Sequence, residues 1–297
     1  MALAELWPLA TLAATAAQTG RNALQRHLTP LAGTLGATYA RFLFGLPFAA
    51  GLLIALRLAS GQPLPMPQGA SLLFMVAGGL TQILATALML RAMKQKSFVV
   101  TIAYTKTEPV LVALFSLVFL SQKLSLATAA AIGMATCGVL LMSWPKTRTE
   151  QSLRPALLGI ASAAFFALSA LLFQQGILRL NARSPFMAAA TGLALALALQ
   201  SVMILLWSSW RDRASLTRLA SAWRLALMAG FLGALASLFW FFGFALTSAT
   251  NVRTLAMVEV IFAQIISRRL FRQGVDRREG LGIALLMAGI AVLLHAA

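Results

Sequence analysis

The sequence predicts an all-α membrane protein of ten transmembrane helices in two inverted five-helix repeats. Three observations lead there: too few charges for a water-facing surface, apolar runs of membrane-spanning length throughout, and a register between the halves that aligns their breaks and two of their acids. Of 297 residues, 60% are hydrophobic and 10% charged, with a mean hydropathy of +0.85. Soluble domains carry about 25% charged residues. Apolar stretches of roughly 20 residues recur, each long enough to cross a hydrocarbon core of about 30 Å. Backbone groups in that core must be satisfied internally, so the spanning elements are helices or a closed barrel. Runs such as LLFMVAGGLTQILATALML (72–90) lack the alternation of a strand, which leaves helices.

The chain begins MALAELWPLATLAATAA, without the basic flank of a signal peptide, and continues as a span, so this segment is expected in the mature protein. The ten spans fall at about 6–24, 33–56, 70–90, 98–120, 126–144, 156–178, 185–207, 223–246, 249–267 and 280–295. Polar and Pro/Gly-rich breaks separate them at SGQPLPMPQG (60–69), SWPKTRTEQSLRP (143–155), NARSP (181–185) and FRQGVDRREG (271–280). Hydropathy barely marks the break at 246–250, which rests on the repeat described below.

Lys and Arg concentrate on the cytoplasmic side of membrane proteins. Odd-numbered loops hold 17 of the 24, with Arg21 and Arg26 counted in the first. Even-numbered loops hold 4, namely Arg57, Lys123, Arg179 and Arg183, and Arg41, Lys106 and Arg253 fall within spans. This distribution places the odd loops inside and both termini outside.

Displaced by 151 residues, the chain registers on itself without a gap from about 79 to 142. Gly79 meets Gly230, Ser97 meets Ser248, Glu108 meets Glu259 and Gly138 meets Gly289. The halves are expected at 1–150 and 151–297. Glu108 and Glu259 are two of only seven acidic residues, and both lie deep within spans. Five spans per half is an odd number, so the second half enters the membrane inverted, as in secondary transporters with a midplane site between repeats.

The arginine early in the second span (YARFLFGLPFAAGLL, 39–53), the Glu-Pro of the fourth, and LVFLSQKLSLATAAAIGMATCGVLLM after it resemble the drug/metabolite transporter superfamily, and within it the EamA-type ten-helix branch. The resemblance implies that fold over essentially the whole chain, secondary transport, and amino acids, amino-acid-like metabolites or drugs as the solute class. Two features depart from the pattern. The family's usual Gly-Glu after the fourth helix reads Ser121-Gln122, and many members keep both termini inside, against the charge count.

Within YTKTEPVLVALF (104–115), Glu108 has two readings. It is either neutralised structurally by Arg41 or Lys106, because an unpaired buried charge costs several kcal/mol, or it is a carboxyl that carries a proton or a cationic group across. Glu259 has Arg253 six residues upstream, about 9 Å along a helix, beyond easy intrahelical pairing. Arg253 therefore either faces a cavity, where it suits a carboxylate or phosphate, or snorkels to an interface. Tyr104 precedes Glu108 by four residues and is expected on the same helix face. Gln18, Gln82, Gln174, Asn251 and Gln264 sit at cavity depth, where each either meets solute or makes an interhelical hydrogen bond of about 1 kcal/mol. Trp240 and Phe244, one turn apart in LFWFFGF (238–244), either line a pocket or pack. Pro109 is expected to kink or loosen the fourth helix and act as a hinge, whereas its counterpart in the second half is Val260.

Cys137 has no partner for a disulfide, and His27 and His295 show no metal-ligand spacing. There is no phosphate-binding glycine loop and no hydrolase or zinc signature, so no enzyme activity, cofactor or metal is expected. No loop exceeds about twenty residues, too short for a soluble catalytic or signalling domain of about 50. The net charge of +17 is read as orientation, with no nucleic-acid partner; the expected partners are a small-molecule solute and membrane lipids. These features describe an inner-membrane secondary transporter exporting a small organic metabolite by alternating access, with proton exchange as the candidate coupling. A flippase for an amphipathic or lipid-linked substrate is the alternative.

Overall fold

The computed structural model describes residues 3–95, 101, 104–122, 124–142, 153–262, 265 and 277–296. Among the described residues helices dominate and no strand occurs. In chain order they are α1 (Trp7–Leu43), α2 (Leu46–Ser60), α3 (Gly69–Gln95), α4 (Glu108–Leu120), α5 (Leu126–Met142) and α6 (Leu153–Leu178). Then follow α7 (Pro185–Arg211), α8 (Arg213–Ser221), α9 (Trp223–Leu246), α10 (Ala249–Leu255) with a 3-10 turn at Ala256–Val258, and α11 (Arg277–Ala296). Five stretches are apolar and long enough to cross a bilayer: Trp7–Ser60, Gly69–Gln95, Arg154–Leu178, Pro185–Arg211 and Trp223–Leu246. The segments at 108–120, 126–141 and 280–296 are shorter but apolar.

The sequence places a loop between the first two spans. The structure instead carries helix through that region and folds it back at Gly33, whose φ of 76° and ψ of 169° suit a residue without a Cβ. Gln25 donates to the Ala37 carbonyl at 2.8 Å. In a straight helix twelve residues would separate them by about 18 Å, so the two limbs of α1 form a hairpin. Arg21, counted above as a loop residue, is only 1% exposed and belongs to the interior. Its positive charge therefore drops out of the orientation argument.

A second difference concerns 208–222, expected as a loop. It contains α8, which buries Ser215 and Leu219 and leaves its arginines on the outer side. This helix packs on the α1 hairpin, where a Cβ at Gly36 would come within 3.2 Å of the Ser215 carbonyl oxygen. Tyr39 donates to the Asp212 carboxylate at 3.3 Å. Thus two segments from odd-numbered connections lie together on one end of the bundle.

The remaining packing rests on small residues, because apolar helices in lipid gain little from simple burial and associate through close approach and hydrogen bonds. Along the α3–α6 contact, Ser162, Ser169 and Ser71 donate to the carbonyls of Ala85, Gly78 and Gly176 at 2.7, 3.0 and 2.9 Å, and the Phe173 ring covers Gly78. Where α1 meets α9, Gly230 lies against the Phe44 backbone. Between α5 and α11, a Cβ at Gly138 would approach the Leu286 nitrogen to 2.7 Å, and one at Gly289 would approach the Ala135 nitrogen to 2.8 Å. Each glycine meets the residue that stands 151 positions from the other's neighbour, so this contact is reciprocal between the halves.

Gly289→Leu is expected to force α5 and α11 apart and destabilise the protein by about 1–3 kcal/mol or more. Gly133→Leu, on a face of α5 open to its surroundings, is the control and is expected to be near neutral. Thermal unfolding of the purified full chain in detergent micelles measures both.

Candidate functional site

The fourth and ninth spans are both interrupted, at equivalent places. In the fourth, Tyr104 and Thr105 are helical, the chain turns at Lys106 and Thr107, and α4 begins at Glu108. In the ninth, α10 ends at Leu255, the 3-10 turn covers Ala256–Val258, and helix resumes at Glu259. Each glutamate is thus the first residue of a helical segment, where the positive end of the helix dipole favours a carboxylate.

Pro109 lies in the first turn of α4, where a missing N–H removes no hydrogen bond. It does not kink a continuous helix, as the sequence had suggested. The second half turns at the matching position with Val260 in place of proline.

From these breaks the charged groups reach across to the opposite half. Arg253 approaches Glu108, Nε to Oε1 3.1 Å, and Lys106 pairs with Glu259. Lys106 also donates to the Ala256 carbonyl at 3.4 Å, which accepts from the Glu259 N–H as well. Gln18 and Asn22 each donate to Glu259 at 2.9 Å, and Trp240 donates from Nε1 to Gln18 at 3.0 Å. The Arg253 guanidinium stacks 4.4 Å from the Trp240 ring centre and 5.2 Å from that of Phe244, a cation–π arrangement that replaces part of its lost hydration.

This corrects the expected pairing. Arg41 does not neutralise Glu108; it donates to the hydroxyls of Thr86 and Ser237 at 3.3 and 3.4 Å. Lys106 serves Glu259 in the other half. The turn at 106–107 sends it away from Glu108, as two-residue separation also disfavours a shared helix face.

Glu108, Glu259, Arg253, Lys106, Arg41, Gln82, Gln18 and Trp240 all line one cavity, together with Arg21 and Asn22. Its volume is ≈ 10 Å³, about enough for one water molecule. Gln82 accepts from Gln200 at 2.9 Å. Tyr104 is not in the lining and packs on Gly159, because the break between it and Glu108 cancels the four-residue helical alignment. Asn251 donates to Thr247 at 3.1 Å, and Gln174 holds the α9–α10 junction through Phe244, Thr247 and Ala249. Both serve local structure. Gln264 lies outside the described residues.

Arg21 and Asn22 were missed as site residues. Their signal was present: Gln18, Arg21, Asn22 and Gln25 follow an i, i+3, i+4, i+7 spacing, one polar stripe on an otherwise apolar helix.

The sequence profile of the EamA-like transporter family matches residues 6–144 and 153–295. The two matches take in nearly all of the chain, and the chain belongs to this family; it is a multi-pass membrane protein of the drug/metabolite transporter type. A solved structure described as "Crystal structure of protein" is similar over 96% of this chain and 99% of that chain, with a TM-score of 0.62 and 17% identity, a likeness of fold alone. A comparison with curated proteins found no match.

Arg253→Met leaves Glu108 buried without its cation and is expected to lower stability by about 3–5 kcal/mol. Adding Glu108→Gln is expected to restore a large part of that loss. Unfolding curves of wild type, both single variants and the double variant check this; purely additive losses would show that the pair contributes nothing.

Proposed function

We propose that this EamA-like chain is a secondary active transporter of ten spans, built as two inverted five-helix repeats over 1–150 and 151–297, that exports a small organic metabolite. The observation carrying this reading is the crossed arrangement of ion pairs. Each half supplies a carboxylate at a helix break and a cation for the other half's carboxylate, all on one buried cavity. Interrupted helices meeting near the centre are how transporters of this general plan expose polar groups to a solute without exposing loops to lipid. The reciprocal Gly138 and Gly289 contacts support the pseudo-symmetry.

In this reading the closed cavity is one state of an alternating cycle. Protonation of Glu108 removes its attraction for Arg253, and protonation of Glu259 does the same for Lys106. Either event weakens a link between the halves and favours their separation on one side. Solute entering there replaces the lost contacts, and deprotonation on the other side restores the pairs. Amino acids, amino-acid-like metabolites or drugs are the proposed solutes. The proposed setting is the inner membrane with both termini outside. There the remaining Lys and Arg bias keeps its direction after Arg21 is moved to the interior.

The test is flux in proteoliposomes with and without an imposed pH gradient. Wild type is expected to respond to the gradient, and Glu108→Gln or Glu259→Gln to lose that response by tenfold or more while keeping equilibrium exchange. Unchanged gradient-driven flux in both variants would remove the coupling role.

A further inference from the structure

We propose that the solute bears an oxyanion group, a carboxylate or a phosphate, and that Arg21 and Arg41 bind it; this deepens the transport reading above and rests on it. The starting point is a charge imbalance. Among the described residues the cavity is lined by four cations, Arg21, Arg41, Lys106 and Arg253, and by two carboxylates, Glu108 and Glu259. Both carboxylates already face a cation: Lys106 is hydrogen-bonded to Glu259, and Arg253 lies at ion-pair distance from Glu108, without a hydrogen bond between them. Arg21 and Arg41 therefore stand as the excess, and each is 2% exposed or less.

Among the described residues neither arginine has a carboxylate within salt-bridge distance; Glu259 acts on Arg21 only from further away. Arg21 makes one hydrogen bond, from Nη2 to the Asn22 side-chain oxygen at 2.7 Å, and its Nε and Nη1 have no partner. Among the described residues Arg41 donates to two hydroxyls at long distance and stacks 4.8 Å from the Phe42 ring centre, and its Nε has no hydrogen-bond partner. An arginine does not escape such a site by losing its proton. Two buried guanidinium groups left this way are strongly unfavourable unless something anionic joins them, and the guanidinium fork matches the paired oxygens of carboxylate and phosphate.

The fold also brings the two side chains together. They come from opposite limbs of the α1 hairpin and run past α9 at Gly233. There a Cβ would lie 3.2 Å from the Arg41 Cβ and 3.4 Å from the Arg21 Cδ. A glycine at that point leaves both stems a path to the cavity. With ≈ 10 Å³ free, the closed state holds no organic solute, so the oxyanion enters when the halves part.

The experiment is binding to the purified full chain in detergent, read by calorimetry and thermal shift. The probes are matched compounds: carboxylates against their parent alcohols, phosphate monoesters against theirs, amino acids against their decarboxylated amines, and inorganic phosphate alone. The expected result is binding by the oxyanion member of a pair, at least about tenfold weaker in Arg21→Met and Arg41→Met. Which pair responds distinguishes carboxylate from phosphate. The same variants are expected to unfold at higher temperature than wild type without ligand, since a buried unpaired charge has been replaced by an apolar side chain. Arg21→Lys and Arg41→Lys keep the charge, lose the fork and are expected to bind weakly. Equal binding of the uncharged or amine members, undiminished binding in the Met variants, a response to inorganic phosphate that persists in both Met variants, or no binding by any probe would each overturn the inference. Oxyanion binding without flux in proteoliposomes would keep this inference and remove the transport reading; Arg-independent flux of an uncharged solute would do the reverse.

Discussion

A charge inside a low-dielectric slab has to be neutralised where it stands, because water is not there to do it. In this chain that requirement binds the two halves together. Glu108 is answered by Arg253 and Glu259 by Lys106, each pair formed by groups more than a hundred residues apart in sequence. Every other feature of the centre follows from making those reaches possible. The spans turn just before each glutamate, Asn22 and Gln18 hydrogen-bond Glu259 beside its ion pair, and the Trp240 ring stacks on Arg253. Removing one member leaves its partner stranded, so the cluster is held as a unit.

Around that centre the packing is of a different kind. Lipid is as apolar as the helices, so burial does little to join them. Glycine and serine carry the contacts: Gly78 under Phe173, serine hydroxyls on α3 carbonyls, and Gly138 and Gly289 backbone to backbone. The polar cluster supplies the specificity that such surfaces lack.

Much of this was legible in the sequence. Apolar runs of the right length gave the helical membrane class, and the 151-residue register located the hidden break after Leu246 and paired the two glutamates. The register also matched Gly138 with Gly289, which make equivalent close contacts between α5 and α11, Gly138 on Leu286 and Gly289 on Ala135. What escaped was three-dimensional pairing. Local spacing suggested that Glu108 would find Lys106 or Arg41, yet its cation comes from the other half, a choice that only the closed bundle fixes. Tyr104 was placed by a helical rule that fails once the helix stops at Lys106. Arg21 was assigned to a loop because hydropathy treats every arginine as a boundary, although its polar neighbours at helical spacing marked an inward stripe. The α8 helix was hidden by its charge, since a short amphipathic segment reads like a connection.

The near-filled cavity has a consequence for the cell that carries the protein. Protons travel quickly along unbroken files of water, and a membrane that stores energy as a voltage is discharged by any such file. Here the ≈ 10 Å³ at the centre holds about one water, too little for a file. In the closed arrangement this cavity offers no unbroken file of water from one side to the other.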